Sequence, residues 1–223
     1  MDTLECIRTR RSIRKFLTKP IEYDKVLQIV EAGSLAPSSG NLQNWRFVVL
    51  TERDLIKSLP GHCLNQEYVD APVVIVVCAS DEQVEQHYGI RGTRLYSVQN
   101  CAAAIENMLL AAHALGLGAC WIGAFDEEKI MELLNVSKHA RPQAIIAMGY
   151  PDDVPSTKRL RGLVNVTYFN QYGLKVRSIA DELRDYSDLL AKKAEDVKEV
   201  VDSGKKKIHA HFKRFKKPRV PKF

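Results

Sequence analysis

The sequence predicts an α+β fold in which a mostly antiparallel or mixed central sheet is flanked by helices. The fold includes one long buried core helix and a C-terminal helical extension. The segment 72–78, Pro-Val-Val-Ile-Val-Val-Cys, is apolar throughout and rich in β-branched residues, which is typical of a strand buried on both faces. Helical patterns cluster ahead of the strand patterns instead of alternating with them strictly, which disfavours a doubly wound parallel sheet.

Local patterns place the other elements along the chain. Asp2 and Glu5 stand at the spacing of a capping box, which predicts a short helix at the start. The long helix is apolar over so much of its surface that we expect it to be buried in the core or in a subunit interface. Further helices are predicted after Pro20, over 54–59, over 95–115 (the long helix) and after Asp126, and further strands over 45–50, 143–148 and 164–169.

The chain changes character after Gly173. Residues 1–173 are predicted to form one domain, residues 174–203 an amphipathic helical extension, and residues 204–223 a basic tail. A helix with one apolar face needs a partner, which is the body of the protein, a second subunit or another protein.

The formal net charge of +6 conceals opposite charges in two parts of the chain. Residues 204–223 carry nine basic and no acidic side chains, whereas residues 1–203 carry 24 basic and 27 acidic ones. A body that grips nucleic acid over a whole face is therefore disfavoured. Aromatic residues interleave with the cations of the tail, a pattern that suits nucleic acid or an anionic membrane, while a solvated tail is the plainer interpretation.

Cysteine usage and apolar content indicate the compartment. The five cysteines are odd in number and scattered, without a CxxC or Cys/His metal spacing, so we expect reduced, mostly buried thiols and no metal site. The first residues contain no apolar run of a secretory signal. Polar side chains interrupt the most apolar segment, around 102–117, so this segment is too polar for a membrane-spanning helix. A cytoplasmic protein is therefore predicted.

Two basic clusters are suited to an anionic ligand. Guanidinium groups donate paired hydrogen bonds to phosphate, so both clusters favour one shared phosphate. The alternatives are a solvated basic loop for the first cluster and pairing of each cluster with surface carboxylates. The first comprises Arg10, Arg11, Ser12 and Arg14, and the second spans 158–161 with Arg159 and Arg161.

Two further segments are suited to a flat heterocyclic ligand. The loop 37–44 offers hydroxyl and amide groups that can read the edge of a ring, although such a loop equally well caps the end of its own helix. The segment 116–126 is not a dinucleotide fingerprint, but its Gly123 would let a ligand approach the backbone closely. The polar positions of the loop are Ser38, Ser39, Asn41 and Gln43, following Pro37.

In this order the segments resemble the nitroreductase family of FMN-dependent oxidoreductases. The resemblance covers about residues 3–173, and it rests on several motifs in register rather than on one. The segments that carry it are 10–16 (Arg-Arg-Ser-Ile-Arg-Lys-Phe), 36–47 (Ala-Pro-Ser-Ser-Gly-Asn-Leu-Gln-Asn-Trp-Arg-Phe), 71–74 (Ala-Pro-Val-Val), 109–112 with 117–123, and 149–151 (Gly-Tyr-Pro).

The resemblance implies a homodimer with FMN at the subunit interface. NADH or NADPH would reduce the flavin, and a small-molecule acceptor such as a nitroaromatic, a quinone or a flavin would then reoxidise it in a ping-pong reaction. The flavin carries the chemistry, so no catalytic side chain is required. The implied contacts are Arg10, Arg11, Ser12, Arg14 and Arg159 or Arg161 for phosphate and ribityl, Pro37, Ser38, Ser39 and Asn41 from the partner subunit, Gly123 near flavin N5, and Gln43 and Ile122 as further cofactor-binding residues.

Two positions depart from the family pattern. Asn44 stands where proline is usual and is expected to loosen the loop, and Asn100 stands where aspartate is frequent. Related branches of the family dehalogenate aromatics, fragment flavin or oxidise peptide-derived rings. An alternative from another class is an FMN-binding dimer without reductase activity, whose basic tail recruits it to nucleic acid or to an anionic membrane.

Overall fold

The computed structural model describes residues 1–156 and 160–175. The chain divides into two compact units, Met1–Ser156 and Thr157–Phe223. The helix predicted over 178–202, the tail over 204–223 and Arg159 lie outside the described residues. The predicted domain boundaries at 173 and 203 therefore stay predictions.

The first unit contains the helices and strands that build the fold. None of its helices combines the length and the apolar character that crossing a membrane would require. The helices are α1 (Thr3–Thr9), α2 (Tyr23–Ser34), α3 (Arg53–Ser58), α4 (Glu82–Arg91), α5 (Ser97–Ala114) and α6 (Glu127–Leu133), and the strands are β1 (Trp45–Leu50), β2 (Val73–Ser80), β3 (Gly118–Ile122) and β4 (Ala140–Gly149).

The four strands form one antiparallel sheet in the order β1-β2-β4-β3. In the central strand β2, Val76 pairs with Val48 of β1 on one side and with Ile145 of β4 on the other. Every residue of β2 is buried as far as Ala79. A strand that is apolar at each position is covered on both faces, so the predicted central strand and the antiparallel sheet are confirmed.

Helices cover the two faces of the sheet. On one face, α2 and α5 pack against alternate residues such as Ile75 and Ile146. On the other face, α3 and α6 bury their apolar residues against Val76 and Ile145. Successive strand residues point to opposite faces, so two separate cores form from one sheet. The predicted burial of the long helix is confirmed, because its residues Cys101, Ala104, Ile105, Met108 and Ala112 are at most 1% exposed.

All five cysteines are buried thiols, as the sequence predicts. Burial raises the pKa of Cys101 to about 12, because a thiolate loses its solvation in an apolar surrounding. Cys101 in one core and Cys63, Cys78 and Cys120 in the other act as small apolar side chains, and the Cys6 thiol donates to the Leu110 carbonyl at 3.4 Å.

The structure differs from the predicted elements in four places. The predicted strand over 164–169 is wrong, since Leu163–Asn165 forms a 3₁₀ turn and its neighbour Val166 is exposed. The sequence patterns predict neither α4 nor β3. At the start of α1, Asp2 occupies the N-cap position but its side chain makes no capping hydrogen bond.

Candidate functional site

The basic segment 10–14 runs in extended conformation along the edge of the sheet. Ser12 forms a parallel bridge with Ala119 of β3, and the Ile13 N–H donates to the Ala119 carbonyl at 3.0 Å. The Ile13 side chain is only 5% exposed. Since side chains alternate along an extended chain, burial of Ile13 directs Ser12 and Arg14 to the opposite side, away from the core.

The three arginines of this segment have different surroundings. Arg10 forms an ion pair with Glu106 of α5 at 3.4 Å. The Arg11 guanidinium donates to the carbonyls of Arg8 and Arg10, each at 2.9 Å, and so satisfies free carbonyls at the end of α1. Arg14 is exposed and lies 5.5 Å from the centre of the Tyr68 ring. Arg14 makes no ion pair with any described residue, so its charge is the most available to a ligand.

His113 of α5 lies close to the same arginines. Partial burial, Arg10 and Arg11 together lower the pKa of His113, because each disfavours a further positive charge. Its Nε2 lies 2.8 Å from the Thr9 hydroxyl, which itself donates to the Glu5 carbonyl. The imidazole is therefore neutral near pH 7, and the positive potential of this region comes from the arginines.

A cavity of about 230 Å³ opens beside the basic segment. Arg11, Ile13 and His113 lie on its wall, with Gly118 at the start of β3. The cavity is large enough for a small anionic group but reaches no residue of the loop 37–43. This side of the molecule therefore offers only part of a site for a ligand as large as a flavin nucleotide.

The loop 37–43 folds into a compact turn with backbone conformations that are uncommon for side-chain-bearing residues. Gly40, Asn41 and Gln43 have φ angles of 57°, 55° and 46°. The Gln43 N–H donates to the Ser38 hydroxyl at 3.0 Å, and the Gln43 side chain donates to the Asn41 carbonyl oxygen Oδ1 at 3.0 Å. The turn is thus internally bonded, and it leaves the side chains of Pro37, Asn41 and Gln43 exposed.

A buried chain of hydrogen bonds ties this loop to α5. The N–H and the hydroxyl of Ser39 both donate to Asn100 Oδ1, at 2.9 and 3.1 Å. Asn100 Nδ2 donates to Asn44 Oδ1 at 2.8 Å, and Asn44 Nδ2 donates to the Ser97 hydroxyl at 3.0 Å. Asn44 and Asn100 are only 2% and 3% exposed. Asn44 was expected to loosen the loop, but the structure gives it two hydrogen bonds that connect the loop to the helix.

Gly123 lies directly after β3 and is exposed. A Cβ added to it would meet no atom within 4 Å, so the space in front of its backbone is open. The preceding Ile122 is 1% exposed and packs into the core. A ligand at this end of β3 would therefore contact backbone rather than the Ile122 side chain.

The predicted site residues fall into two sets within one chain. The basic segment and Gly123 share the β3 edge of the sheet, since the segment pairs with Ala119 four residues before Gly123. The loop 37–43 is attached to the first turn of α5 through Asn100. Among the described residues, no hydrogen bond or ion pair joins the loop to the basic segment. Arg161 is exposed and belongs to the second unit, and Arg159 lies outside the described residues.

Several residues that shape these two sets escape sequence analysis. Glu106 pairs with Arg10, Tyr68 faces Arg14, and the Tyr88 hydroxyl covers Gly40 of the loop. The sequence does contain a signal for the attachment of the loop to α5, because Ser97 and Asn100 place two polar groups three residues apart on a largely apolar helix.

Comparisons with known proteins agree with the predicted fold. Residues 7–67 and 60–150 match the sequence model of the Nitroreductase family. A protein of Methanothermobacter thermautotrophicus, provisionally named NADH dehydrogenase/NAD(P)H nitroreductase, is 37% identical over 165 residues, which cover 72% of this chain and 83% of that protein. The NADPH-flavin oxidoreductase of Vibrio harveyi is 30% identical over 181 residues, covering 77% and 75%.

A solved structure extends the similarity to three dimensions. An FMN-dependent nitroreductase from Clostridium difficile has a TM-score of 0.66 and 27% sequence identity, covering 76% of this chain and 99% of that one. The names of these relatives are those of oxidoreductases, as the sequence predicts. The chain belongs to the nitroreductase family.

Proposed function

We propose that this protein is an FMN-dependent NAD(P)H oxidoreductase that acts as a homodimer on a small-molecule electron acceptor. The observation that carries the proposal is the arrangement at the β3 edge. The basic segment 10–14 pairs with β3, and the open backbone of Gly123 follows the same strand. This combination suits a ligand with a phosphate at one end and a flat ring at the other.

The donor groups of the segment fit a flavin nucleotide chemically. Arg14 forms no ion pair within the part of the chain that the structure describes, and Ser12 points to the same side of the extended segment. A phosphate dianion prefers such a combination of guanidinium and hydroxyl donors. Residues 1–203 carry more acidic than basic side chains, so a concentrated positive patch here favours one specific anion over general binding of polyanions.

The protein residues bind and orient the cofactor rather than react. Arg14 and Ser12 hold the phosphate end, and the Gly123 backbone leaves room for the ring. Arg11 supports the segment through its bonds to the Arg8 and Arg10 carbonyls. When bound, FMN supplies the electron chemistry, accepting a hydride from NADH or NADPH and passing electrons to a nitroaromatic, a quinone or a free flavin. The polar loop 37–43 contributes hydroxyl and amide groups to the second side of the site.

A second copy of the chain would complete this site. The loop 37–43 and the basic segment are attached to different turns of α5, and the cavity beside Arg11 contains no residue of the loop. Apolar side chains also remain exposed, which supports a surface covered by another subunit. They include Leu4 and Ile7 on α1, Leu27 on α2 and Val98 on α5, each between 42% and 58% exposed.

Cofactor content and turnover test this proposal directly. Purified protein should be yellow, contain about one FMN per chain and sediment as a dimer. Anaerobic addition of NADH or NADPH should bleach the flavin absorbance, and addition of an acceptor should restore it. Protein that remains colourless after incubation with FMN would exclude the proposed activity.

A further inference from the structure

We infer that Asn44 and Asn100 act as a coupled pair of positioning residues that hold the loop 37–43 ready for the cofactor. The inference rests on the proposed function, because it takes this loop as a cofactor contact. It goes further in assigning the loop's shape to two buried amides that themselves would not touch the ligand.

The hydrogen-bonding capacity of the two amides explains why they depend on each other. Asn100 uses its carbonyl oxygen to accept two hydrogen bonds from Ser39, so its NH₂ group needs a separate acceptor. Asn44 Oδ1 is that acceptor, and the NH₂ group of Asn44 in turn donates to Ser97. Each amide is oriented by the other, and a change in one leaves a buried polar group of the other without its partner.

The loop needs such an attachment because its backbone is strained. Asparagine tolerates the left-handed conformation of Asn41, but the same conformation is unfavourable at Gln43 and persists where the surroundings enforce it. Asn100 holds the backbone N–H of Ser39 at the start of the turn. On the other side of the turn, the Tyr88 hydroxyl lies 2.6 Å from where a Cβ of Gly40 would stand, so the loop is confined from two directions.

The helix that bears the pair has an irregular turn at this point. A π-helical turn over Gly92–Tyr96 directly precedes Ser97, the first residue of α5. This wider turn sets the rotation of the following helix, so that Ser97 and Asn100 both face Asn44. The π-helical turn itself packs closely against α4, since a Cβ on Gly92 would lie 2.6 Å from the Val84 carbonyl oxygen.

Asn107 provides a matched control on the same helix. Its Nδ2 donates to the Ala32 carbonyl of α2 at 3.1 Å, away from the loop. Replacing Asn107 with alanine therefore removes a tertiary hydrogen bond of α5, as Asn100→Ala does, but leaves the bonds that hold Ser39. A merely structural role predicts similar consequences for the two variants, whereas a positioning role separates them.

The test measures FMN affinity by fluorescence titration and, separately, the melting temperature of the cofactor-free protein. Asn100→Ala and Asn44→Ala should each weaken FMN binding about tenfold or more, and Asn107→Ala should change it by less than about twofold. The double variant Asn44→Ala/Asn100→Ala should bind no more weakly than Asn100→Ala alone, because coupled residues are not additive. Hydrogen exchange at the Ser39 amide should accelerate in Asn100→Ala but not in Asn107→Ala.

A conservative variant should restore the arrangement. Asn100→Asp retains an acceptor for Ser39, and Asn44 can rotate its amide to donate to the new carboxylate while accepting from the Ser97 hydroxyl. It should therefore recover most of the affinity lost in Asn100→Ala. If Asn100→Ala does not fold, Asn44→Ala carries the same comparison with Asn107→Ala.

The outcomes separate this inference from the proposed function. Wild-type protein that fails to bind FMN overturns both. Wild-type protein that binds FMN, together with Asn100→Ala and Asn44→Ala variants whose affinity matches that of Asn107→Ala, overturns the positioning role alone. Fully additive losses in the double variant overturn the coupling between the two amides.

Discussion

The side chain of Ile13 fills the space directly in front of Gly118. A Cβ on residue 118 would stand 2.6 Å from Ile13 Cγ1 and 2.8 Å from Cγ2, which is closer than non-bonded carbon atoms approach each other in folded proteins. The basic segment 10–14 is thus seated on β3 by packing as well as by its hydrogen bond to Ala119. The absence of a side chain at position 118 is what allows the segment to lie this close to the sheet.

The variant Gly118→Ala should unseat the basic segment. The added methyl group must displace Ile13, and such overpacking lowers the free energy of unfolding by roughly 1–3 kcal/mol. Urea denaturation of the cofactor-free protein measures this loss, and FMN affinity should fall with it. Gly61→Ala is the control, since a Cβ there meets no atom within 4 Å. Equal stability of the two variants would contradict the packing of Ile13 against Gly118.

The variant Gly123→Ala should separate ligand binding from stability. A methyl group at this position has no neighbour within 4 Å in the chain, so the melting temperature of the cofactor-free protein should stay unchanged. If the flavin ring approaches this backbone, the methyl group should hinder it and weaken FMN binding. Unaltered FMN affinity would show that the ring lies elsewhere.

The variant Arg14→Ala should weaken FMN binding through the loss of a charge-assisted contact to phosphate. A loss of roughly 1.5–3 kcal/mol corresponds to an affinity about 10- to 150-fold lower. Arg8→Ala removes the same charge from the last turn of α1 and controls for the general electrostatic effect. Riboflavin lacks the phosphate, so the difference in affinity between wild type and Arg14→Ala should be smaller for riboflavin than for FMN. An equal loss for both ligands would argue against a phosphate contact.

Acid sensitivity should depend on Glu22, which lies at the start of α2. The hydroxyl of Tyr150 donates to Glu22 at 2.6 Å, and this bond, the backbone and Lys25 lower the pKa of Glu22 from 4.5 to about 2. A carboxyl group with a lowered pKa in the folded state stabilises the protein above its unfolded pKa and loses that contribution as the pH falls. The stability advantage of wild type over Glu22→Gln should therefore be complete above pH 4.5 and vanish towards pH 2.

Urea denaturation across this pH range measures the difference between the two proteins. Tyr150→Phe removes the leading cause of the shift, so in that variant the Glu22 contribution should be lost at a higher pH. A wild-type advantage that stays constant over the whole range would contradict the role of Glu22.

Much of the fold follows from patterns that are local in sequence. The apolar composition of the segment 72–78 and of the helix over 95–115 predicts that both are buried, and both elements are confirmed as β2 and α5. The sequence does not predict β3, because Gly118 at its start suggests a turn. Four of its five residues are buried, so the strand lacks the alternation of apolar and polar residues that would mark it. The sequence does not predict α4 either, because Val84 is its only buried residue and Gly89, with a positive φ angle, interrupts it.

The candidate site could be predicted as a set of residues but not as a set of contacts. The sequence singles out Asn44 and Asn100 as two unrelated departures, whereas the structure joins them by one hydrogen bond. Arg10 pairs with Glu106 and Arg14 lies over the ring of Tyr68, and both partners are distant from the arginines in sequence. Such pairings depend on tertiary packing, and no spacing within a single segment records them.

The antiparallel pairing of β2 with β4 has a consequence for the order of assembly. Val73 lies opposite Met148, and the whole of α4, α5, β3 and α6 intervenes between these two central strands. Closing so long a loop costs chain entropy before the central ladder gains its hydrogen bonds, which makes folding slow. The edge strand β3 pairs with β4, which lies close to it in sequence, whereas the basic segment must reach β3 from the start of the chain. We therefore expect the two ends of the proposed cofactor site to come together only after the segment 10–14 has paired with β3.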